Sequence, residues 1–416
     1  MSALRLISPD YWARRAILSR LRDIGDGAVV VDEGGVRRAF GSPRPGCAVP
    51  TIQVRDPQAW TEIALGGTLG AGEAFVDGLW STDDLPELVR LLVRNRGVLE
   101  RLEAPYARLR APLVRVAHAV RSGTRASSRR NVRRHYDLGN EFFELLLDPT
   151  MMYSCAVFED PSNPREPLES ASRRKLDLVC RKLGLAPGDR VLEIGTGWGG
   201  FAVHAAANYG ARVVTTTISD AQHRFASERI RLAGLADRAQ VLRLDYRELP
   251  GALGERFDKL VSIEMVEAVG HRFLGTYGRV CGKLLAPGGT ALIQAITIAE
   301  PLYDAYRRSV DFIQRHVFPG GALPSLGALR RALEGPGGLQ VEQVHDITEH
   351  YITTLRRWRA NFQVNRARIR DLGFSDGFCR MWEFYLGYCE GGFAERSIHD
   401  YQIVLRKPTA GRAVIS

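Results

Sequence analysis

Lysine is nearly absent from this chain. Five of its 57 basic residues are lysines (Lys175, Lys182, Lys259, Lys283 and Lys407), and arginine supplies the rest. The formal charge of +10 is therefore almost all guanidinium, which points to anionic partners such as acidic lipid or nucleic acid. Cysteine is also sparse. The six cysteines are scattered, with no CxxC pair and no histidines at zinc spacing. That excludes a disulfide framework and a structural metal, and reads as a reduced, cytoplasmic protein. Long hydrophobic runs are missing too: MSALRLISPDYWARRAILSRLRD puts Arg or Asp into every apolar stretch. The segment reads as neither signal peptide nor membrane span, so membrane contact is expected to be peripheral.

What is present suits a large catalytic unit with a smaller companion, because 416 residues at 45% apolar content exceed one minimal domain. The first hundred residues read as a small α/β module. A helix is expected at 11–23, then two strands in GAVVVDEGGVRRAFG joined at Gly-Gly, a strand in CAVPTIQVRD and a second helix at 83–98. GGTLGAGEAFVDGLWS lies between them, rich in glycine and aromatics. From Arg108 to Arg134 come nine arginines and no acid. A helix starting near Pro112 would align Leu113, Val116, Ala117 and Val120 on one face, a basic amphipathic element suited to a membrane surface. A solvated linker is the other reading. No aromatics interleave the arginines, so nothing beyond charge supports a nucleic-acid partner.

After about residue 170 strand-like runs alternate with helical patterns: VLEIG, RVVTTTI, QVLRLD, KLVSIEMV, TALIQAITI and finally YQIVLRK. Helices are expected near 300–316 and 350–392. The alternation predicts a doubly wound, mostly parallel sheet with its active site at the carboxyl ends of the strands.

The first of those strands runs into VLEIGTGWGG. A phosphate-binding loop would close on Lys and Ser or Thr, where this chain has Trp198, Gly199 and Gly200. Gly195, Gly197 and Gly200 do satisfy dinucleotide spacing. Against that reading, Glu193 lies within the strand, and the second strand ends on Thr217 rather than on a carboxylate. A nucleoside donor without a phosphate chain, S-adenosylmethionine, fits better. Thr217 to Gln222 and Asp245, Tyr246 and Arg247 supply polar groups for ribose and adenine.

Three further stretches narrow the class: HYDLGNEFFELLLDPTMMYSCAVF, DYRELPG with SIEMVEAVGH, and DFIQRHVFPGGALPS. With the glycine turn they resemble the cyclopropane-fatty-acyl-phospholipid synthase family, which includes the mycolic acid cyclopropane synthases. GGTLGAGEAFVDGLW looks like the N-terminal domain of full-length members. The resemblance implies a Rossmann-like methyltransferase sheet with helical insertions over 135–408. It also implies a small lipid-associated α/β domain over 1–105, a basic linker over 106–134 and a tail over 409–416. It implies methyl transfer from S-adenosylmethionine to the double bond of an unsaturated acyl chain in a membrane phospholipid, by a peripheral homodimer on the inner face of the membrane. By the same resemblance Tyr153, Ser154, Val191, Glu193, Gly195, Thr196, Gly197, Trp198, Gly199, Thr217, Gln222, Tyr246 and Arg247 would contact the donor. Cys155, Glu267, Gln294, Ile296 and Tyr351 would hold a bicarbonate ion, and Cys389 matches a cysteine sometimes proposed as catalytic.

An alkene is a weak nucleophile, so the chemistry calls for an aligned methyl group in a dry pocket. Methylation leaves a carbocation, which the faces of Tyr153, Tyr246, Phe312 or Phe318 could stabilise, and a base must then remove a proton. Each residue also has a plainer reading. Cys155 and Cys389 can be small buried hydrophobes, one of Glu264 and Glu267 can merely cap or pair, His271 can cap a helix, and His135 and Tyr136 can support the cofactor lid. In one place the sequence departs from the family pattern: Gln294 stands where many cyclopropane synthases carry histidine. Glutamine cannot titrate near neutral pH, and some relatives with it resemble enzymes giving a 10-methylene branch instead of a ring.

Overall fold

The structure, a computed structural model, describes residues 8–97 and 138–409. The arginine-rich segment, His135 and Tyr136 lie outside the described residues. The chain divides into two compact units. The first joins the described part of Met1–Val120 with Arg308–Val317 and Trp358–Ser397; the second comprises the described part of Arg121–Arg307 with Phe318–Arg357 and the chain from Ile398 on.

In the first unit, the helix Pro9–Leu21 starts at Ser8, whose hydroxyl accepts the Asp10 N–H, with proline in its first turn. β1 (Gly27–Glu33) and β2 (Val36–Ser42) pair antiparallel across Gly34 and Gly35. Both glycines have positive φ, as a tight hairpin turn demands. β3 (Thr51–Val54) runs parallel to β1, and β4 (Trp80–Thr82) antiparallel to β3. The glycine-rich stretch before β4 is mostly helical, within Gln58–Val76, where Gly67 interrupts the helix at φ 59°. Gly72 is there for packing: a Cβ would come within 2.5 Å of the Phe312 ring. The helix Leu85–Arg94 carries Arg94, whose buried guanidinium pairs with Glu87 and Glu395 at 2.7 and 2.8 Å.

The second unit is built on seven strands: β5 (Arg190–Ile194), β6 (Arg212–Thr216), β7 (Ala239–Leu242), β8 (Phe257–Ile263), β9 (Leu285–Ile298), β10 (Gln340–Asp346) and β11 (Ile398–Arg406). Their order is β10-β11-β9-β8-β5-β6-β7. β5 to β9 pair parallel, and β11 lies antiparallel between β9 and β10. This is the doubly wound, mostly parallel sheet that the alternation predicts. Strand periodicity splits its residues between two cores. Val191, Val261 and Leu292 pack with Val179 and Phe201, whereas Leu192, Leu260 and Ile293 pack with Tyr277 and Leu333. β10 has no counterpart in the sequence reading, because QVEQVHD is an edge strand that remains largely exposed. Between β5 and β8 the winding reverses, so a crevice opens beyond the carboxyl ends of those two strands. Among the described residues no helix is long and apolar enough to cross a membrane.

The helix Leu274–Leu284 closes on its neighbours through glycine. A Cβ at Gly278 would lie 2.0 Å from Ala332 O, and one at Gly282 1.9 Å from Gly337 O. Those are backbone atoms that cannot swing aside. Gly282→Ala is therefore expected to destabilise the protein by about 1–3 kcal/mol, read as a lower denaturant midpoint with unchanged slope.

Candidate active site

The turn after β5 gives a ligand its approach to the sheet. Gly195, Gly197 and Gly199 have φ of 107°, 52° and 81°, in the range that favours glycine. Gly195 and Gly199 are also tight, since a Cβ on either would come within 3.1 Å of Met265 or Ala226. Gly197 differs: a Cβ there meets nothing within 4 Å, so its backbone borders open space. Gly195 N and Thr196 N donate to Thr216 O at 3.1 and 3.0 Å, and the Thr196 hydroxyl bonds that of Thr215 at 2.7 Å. Val191 sits in the core of β5. Glu193 is buried, and its Oε2 has no hydrogen-bond partner. Desolvation pushes its carboxyl up to about 8.

Polar groups after β6 and β7 complete this rim. The Thr217 hydroxyl donates to Gln222 Oε1 at 2.9 Å, and Ser219 caps the helix Asp220–Leu232. Arg247 grips Asp245 with Nε and Nη2 at 2.8 and 2.6 Å, and its guanidinium lies 5.6 Å from the Tyr246 ring centre. Tyr246 is edge-on to Tyr277, with its hydroxyl buried and without a hydrogen-bond partner. On the opposite flank Trp198, Phe143, Tyr153 and Phe318 form an aromatic series with successive centroids 4.7, 5.4 and 6.5 Å apart. Trp198 Nε1 donates to Asn140 Oδ1 at 2.9 Å.

A second constellation follows from strand register. Gln294 on β9 lies beside Ile263 of β8 and opposite Gln402 of β11, and Ile296 lies opposite Asp400. Alternation thus turns Gln294 and Ile296, Gln402 and Asp400 toward one face. Beyond β8, Glu264 receives three hydrogen bonds: Cys155 N and Gln294 Nε2 to Oε1, each at 2.8 Å, and the Tyr351 hydroxyl to Oε2 at 2.6 Å. Gln294 Nε2 also donates to Asp400 at 3.0 Å, and its oxygen accepts from Gln402 at 3.0 Å. Glu267 binds elsewhere, accepting the Ile296 N–H at 2.5 Å while its Oε2 remains unpartnered. Burial and the neighbouring Glu264 push Glu267 up to about 8. Burial raises Glu264 and lifts Asp400 well above the carboxylate range. Among the described residues the buried lysine near them is Lys175: its amine donates to the Ser154 hydroxyl at 2.8 Å, and burial lowers its proton affinity against the opposing pull of Glu264 and Asp400.

All five positions that the resemblance gave to bicarbonate are brought together, yet they bond within the chain. Cys155, Gln294 and Tyr351 hold Glu264, and Ile296 holds Glu267. The set does not fit a bicarbonate held by those same donors. The Cys155 thiol donates to Ala156 O, and burial holds it well above the ordinary thiol range. Cys389 belongs to the first unit, on the helix Asp376–Ala394; desolvation and Asp311 raise its thiol, which offers no thiolate activation. Phe312 also belongs to the first unit, against Phe384 at 4.6 Å. His271 lies 3.3 Å from the Tyr303 hydroxyl. Sequence reasoning weighed Glu264 against Glu267 and favoured Glu267, and it missed Asp400 and Lys175. Glu264 was visible in SIEMVEAVGH, and a lysine in so arginine-rich a chain was itself a signal.

A family model described as mycolic acid cyclopropane synthetase matches residues 124–403. The chain belongs to that family. It is 37% identical over 361 residues to the tuberculostearic acid methyltransferase UfaA1 of Mycobacterium tuberculosis, covering 86% of this chain and 83% of that protein. It is 36% identical over 365 residues to the cyclopropane-fatty-acyl-phospholipid synthase of Escherichia coli, covering 87% and 89%. The solved mycolic acid cyclopropane synthase CmaA1, complexed with SAH and CTAB, superposes with a TM-score of 0.61 at 30% identity, over 67% of this chain and 98% of that one. This member of the family is an S-adenosylmethionine-dependent methyltransferase. Its own residues fit that donor: open space at Gly197, an unpaired Glu193 oxygen and a free Tyr246 hydroxyl await a ligand bearing amino and hydroxyl groups.

Glu193 and Glu267 make ligand-free stability pH-dependent. Both start from 4.5 and are pushed up to about 8, so the folded state holds protons that the unfolded chain releases. The stabilisation is complete below the unfolded value and is lost as pH rises through the folded one. The melting temperature of the ligand-free protein is expected to fall by several degrees between about pH 5 and pH 8, and Glu193→Gln should flatten that slope.

Proposed function

We propose that this enzyme methylates the double bond of an unsaturated acyl chain carried by a membrane phospholipid and closes the product to a cyclopropane. The observation that carries the reading is the cluster of Glu264, Glu267 and Asp400 at the head of β8, β9 and β11, with Asp400 buried and the two glutamates half-buried. Transfer to a carbon–carbon double bond leaves a cation that must lose a proton in a dry site, and carboxyls with raised affinity for protons suit that task. When bound, S-adenosylmethionine supplies the electrophilic methyl group. Gly197 and Glu193 would hold the donor, Tyr246 and Arg247 would border its nucleoside, and Tyr153 and Phe318 would offer aromatic faces to the cation.

A methylene-branched product is the second reading. Gln294 favours it, as does likeness to a protein named a tuberculostearic acid methyltransferase. In either case the arginine-rich stretch would meet acidic lipid on the inner face of the membrane, with the enzyme acting as a homodimer in the cytoplasm.

Expression in a bacterium lacking its own synthase, followed by analysis of fatty acid methyl esters, should yield chains heavier by one CH₂ and containing a ring. A methylene branch instead would favour the second reading; unchanged chains with methylation of a small soluble molecule would overturn both. Vesicles rich in anionic lipid should carry the protein in flotation and release it as salt rises. Binding to DNA but to no vesicle would remove the lipid-surface part of the reading.

A further inference from the structure

The hydrogen bonds around Glu264 single it out among the carboxylates at the head of the sheet. Three donors from three separate parts of the chain converge on it: the Cys155 N–H, the Gln294 amide and the Tyr351 hydroxyl. They are three of the five positions expected to hold a bicarbonate ion; the other two, Ile296 and Glu267, are bonded to each other. We propose that Glu264 replaces bicarbonate as a built-in proton acceptor for the reaction, an inference that rests on the double-bond methylation proposed above.

Backbone conformation supports a functional reason for this side chain. Glu264 has φ 47°, in the left-handed region where glycine is at ease and other residues are strained. Strain kept at such a point is usual where a side chain is needed. Its N–H donates to Gln294 O at 2.8 Å, which ties the strained residue to β9. The charged groups facing it agree with the role. Glu264 accepts three hydrogen bonds whereas Asp400 Oδ1 has no partner, so Glu264 bears the negative charge of the pair. Lys175 lies on the Ser154 side, where burial lowers its hold on a proton and Glu264 works against that loss, and Glu267 lies close enough to feel the Glu264 charge.

In the step assigned to Glu264, a C–H bond of the methylated acyl cation breaks. The proton passes to a Glu264 oxygen, and the electron pair left behind closes the ring or forms the double bond. The neutral carboxyl stays hydrogen-bonded to Gln294 and Tyr351 until the proton leaves for solvent.

Glu264→Gly removes the carboxylate, relieves the positive φ and leaves the three donors facing the vacated space. Titration with ¹³C-labelled bicarbonate, followed by NMR line width in the presence of S-adenosylhomocysteine, should show no saturable binding to the native protein and saturable binding to Glu264→Gly. Equal thermal stabilisation of both by S-adenosylhomocysteine checks that the fold and donor site are intact. In buffer stripped of CO₂ the native enzyme should turn over as fast as with bicarbonate restored. Glu264→Gly and Glu264→Gln should each lose about 100-fold or more, and only the glycine variant should recover with bicarbonate or formate. Saturable bicarbonate binding by the native protein, or near-native turnover by Glu264→Gln, would overturn the proposal. If the native protein modified no acyl chain, the function proposed above would fail, while the bicarbonate titration would still decide who occupies the donors.

Discussion

Burial of ionisable groups at the head of the large sheet is the constraint around which the second unit is arranged. Carboxylates taken out of water are costly unless they are bonded or neutral; Asp400 is buried there, and Glu264 and Glu267 are half-buried. The sheet order answers that cost. By lying antiparallel between β9 and β10, β11 brings Asp400 and Gln402 alongside Ile296 and Gln294, so that one amide can serve three neighbours. Lys175 comes to the same place from the helix Leu168–Leu183, where burial disfavours its charge and Glu264 and Asp400 favour it. An ammonium is compact and can give up its proton when buried, which a guanidinium does not. Lysine thus appears at a point where the arginine used throughout this chain would be a poorer choice.

The glycine turn after β5 does a different job at the same end of the sheet. Two of its glycines are needed because the chain packs tightly against Met265 and Ala226, and Gly197 is needed because it does not. The unpaired oxygen of Glu193 close by has the same significance as the unpaired oxygen of Glu267. Each is a buried acceptor for which the folded chain supplies no donor, and such atoms are rare away from ligand sites.

Much of this was legible in the sequence, for physical reasons. The parallel strands read clearly because their residues are apolar on both faces, as in VLEI and LIQAITI, and the glycine turn announced itself. β10 did not, since an exposed edge strand needs no apolar pattern. The helix Gln58–Val76 was hidden by its glycines, which weaken helix propensity but here admit the Phe312 ring. At the candidate site the positions Cys155, Gln294, Ile296, Glu267 and Tyr351 do come together. What periodicity could not reveal was which glutamate receives the donors. Two residues separate Glu264 from Glu267, and the left-handed turn at Glu264 accompanies the two carboxylates facing different partners.

That turn also bears on Gln294. A histidine in its place could carry or release a proton near neutral pH, and so share in proton transfer. The amide cannot, and its bonds to Glu264, Asp400 and Gln402 use both its nitrogen and its oxygen. Its part is to fix where Glu264 sits and to stay neutral while doing so. For the double-bond methylation proposed above, the choice between a ring and a methylene branch then becomes geometric. An acceptor attached to the backbone reaches one C–H bond of the cation better than another, whereas a free ion of the same charge could shift toward either. Fixing the base to the chain exchanges that freedom for a defined product.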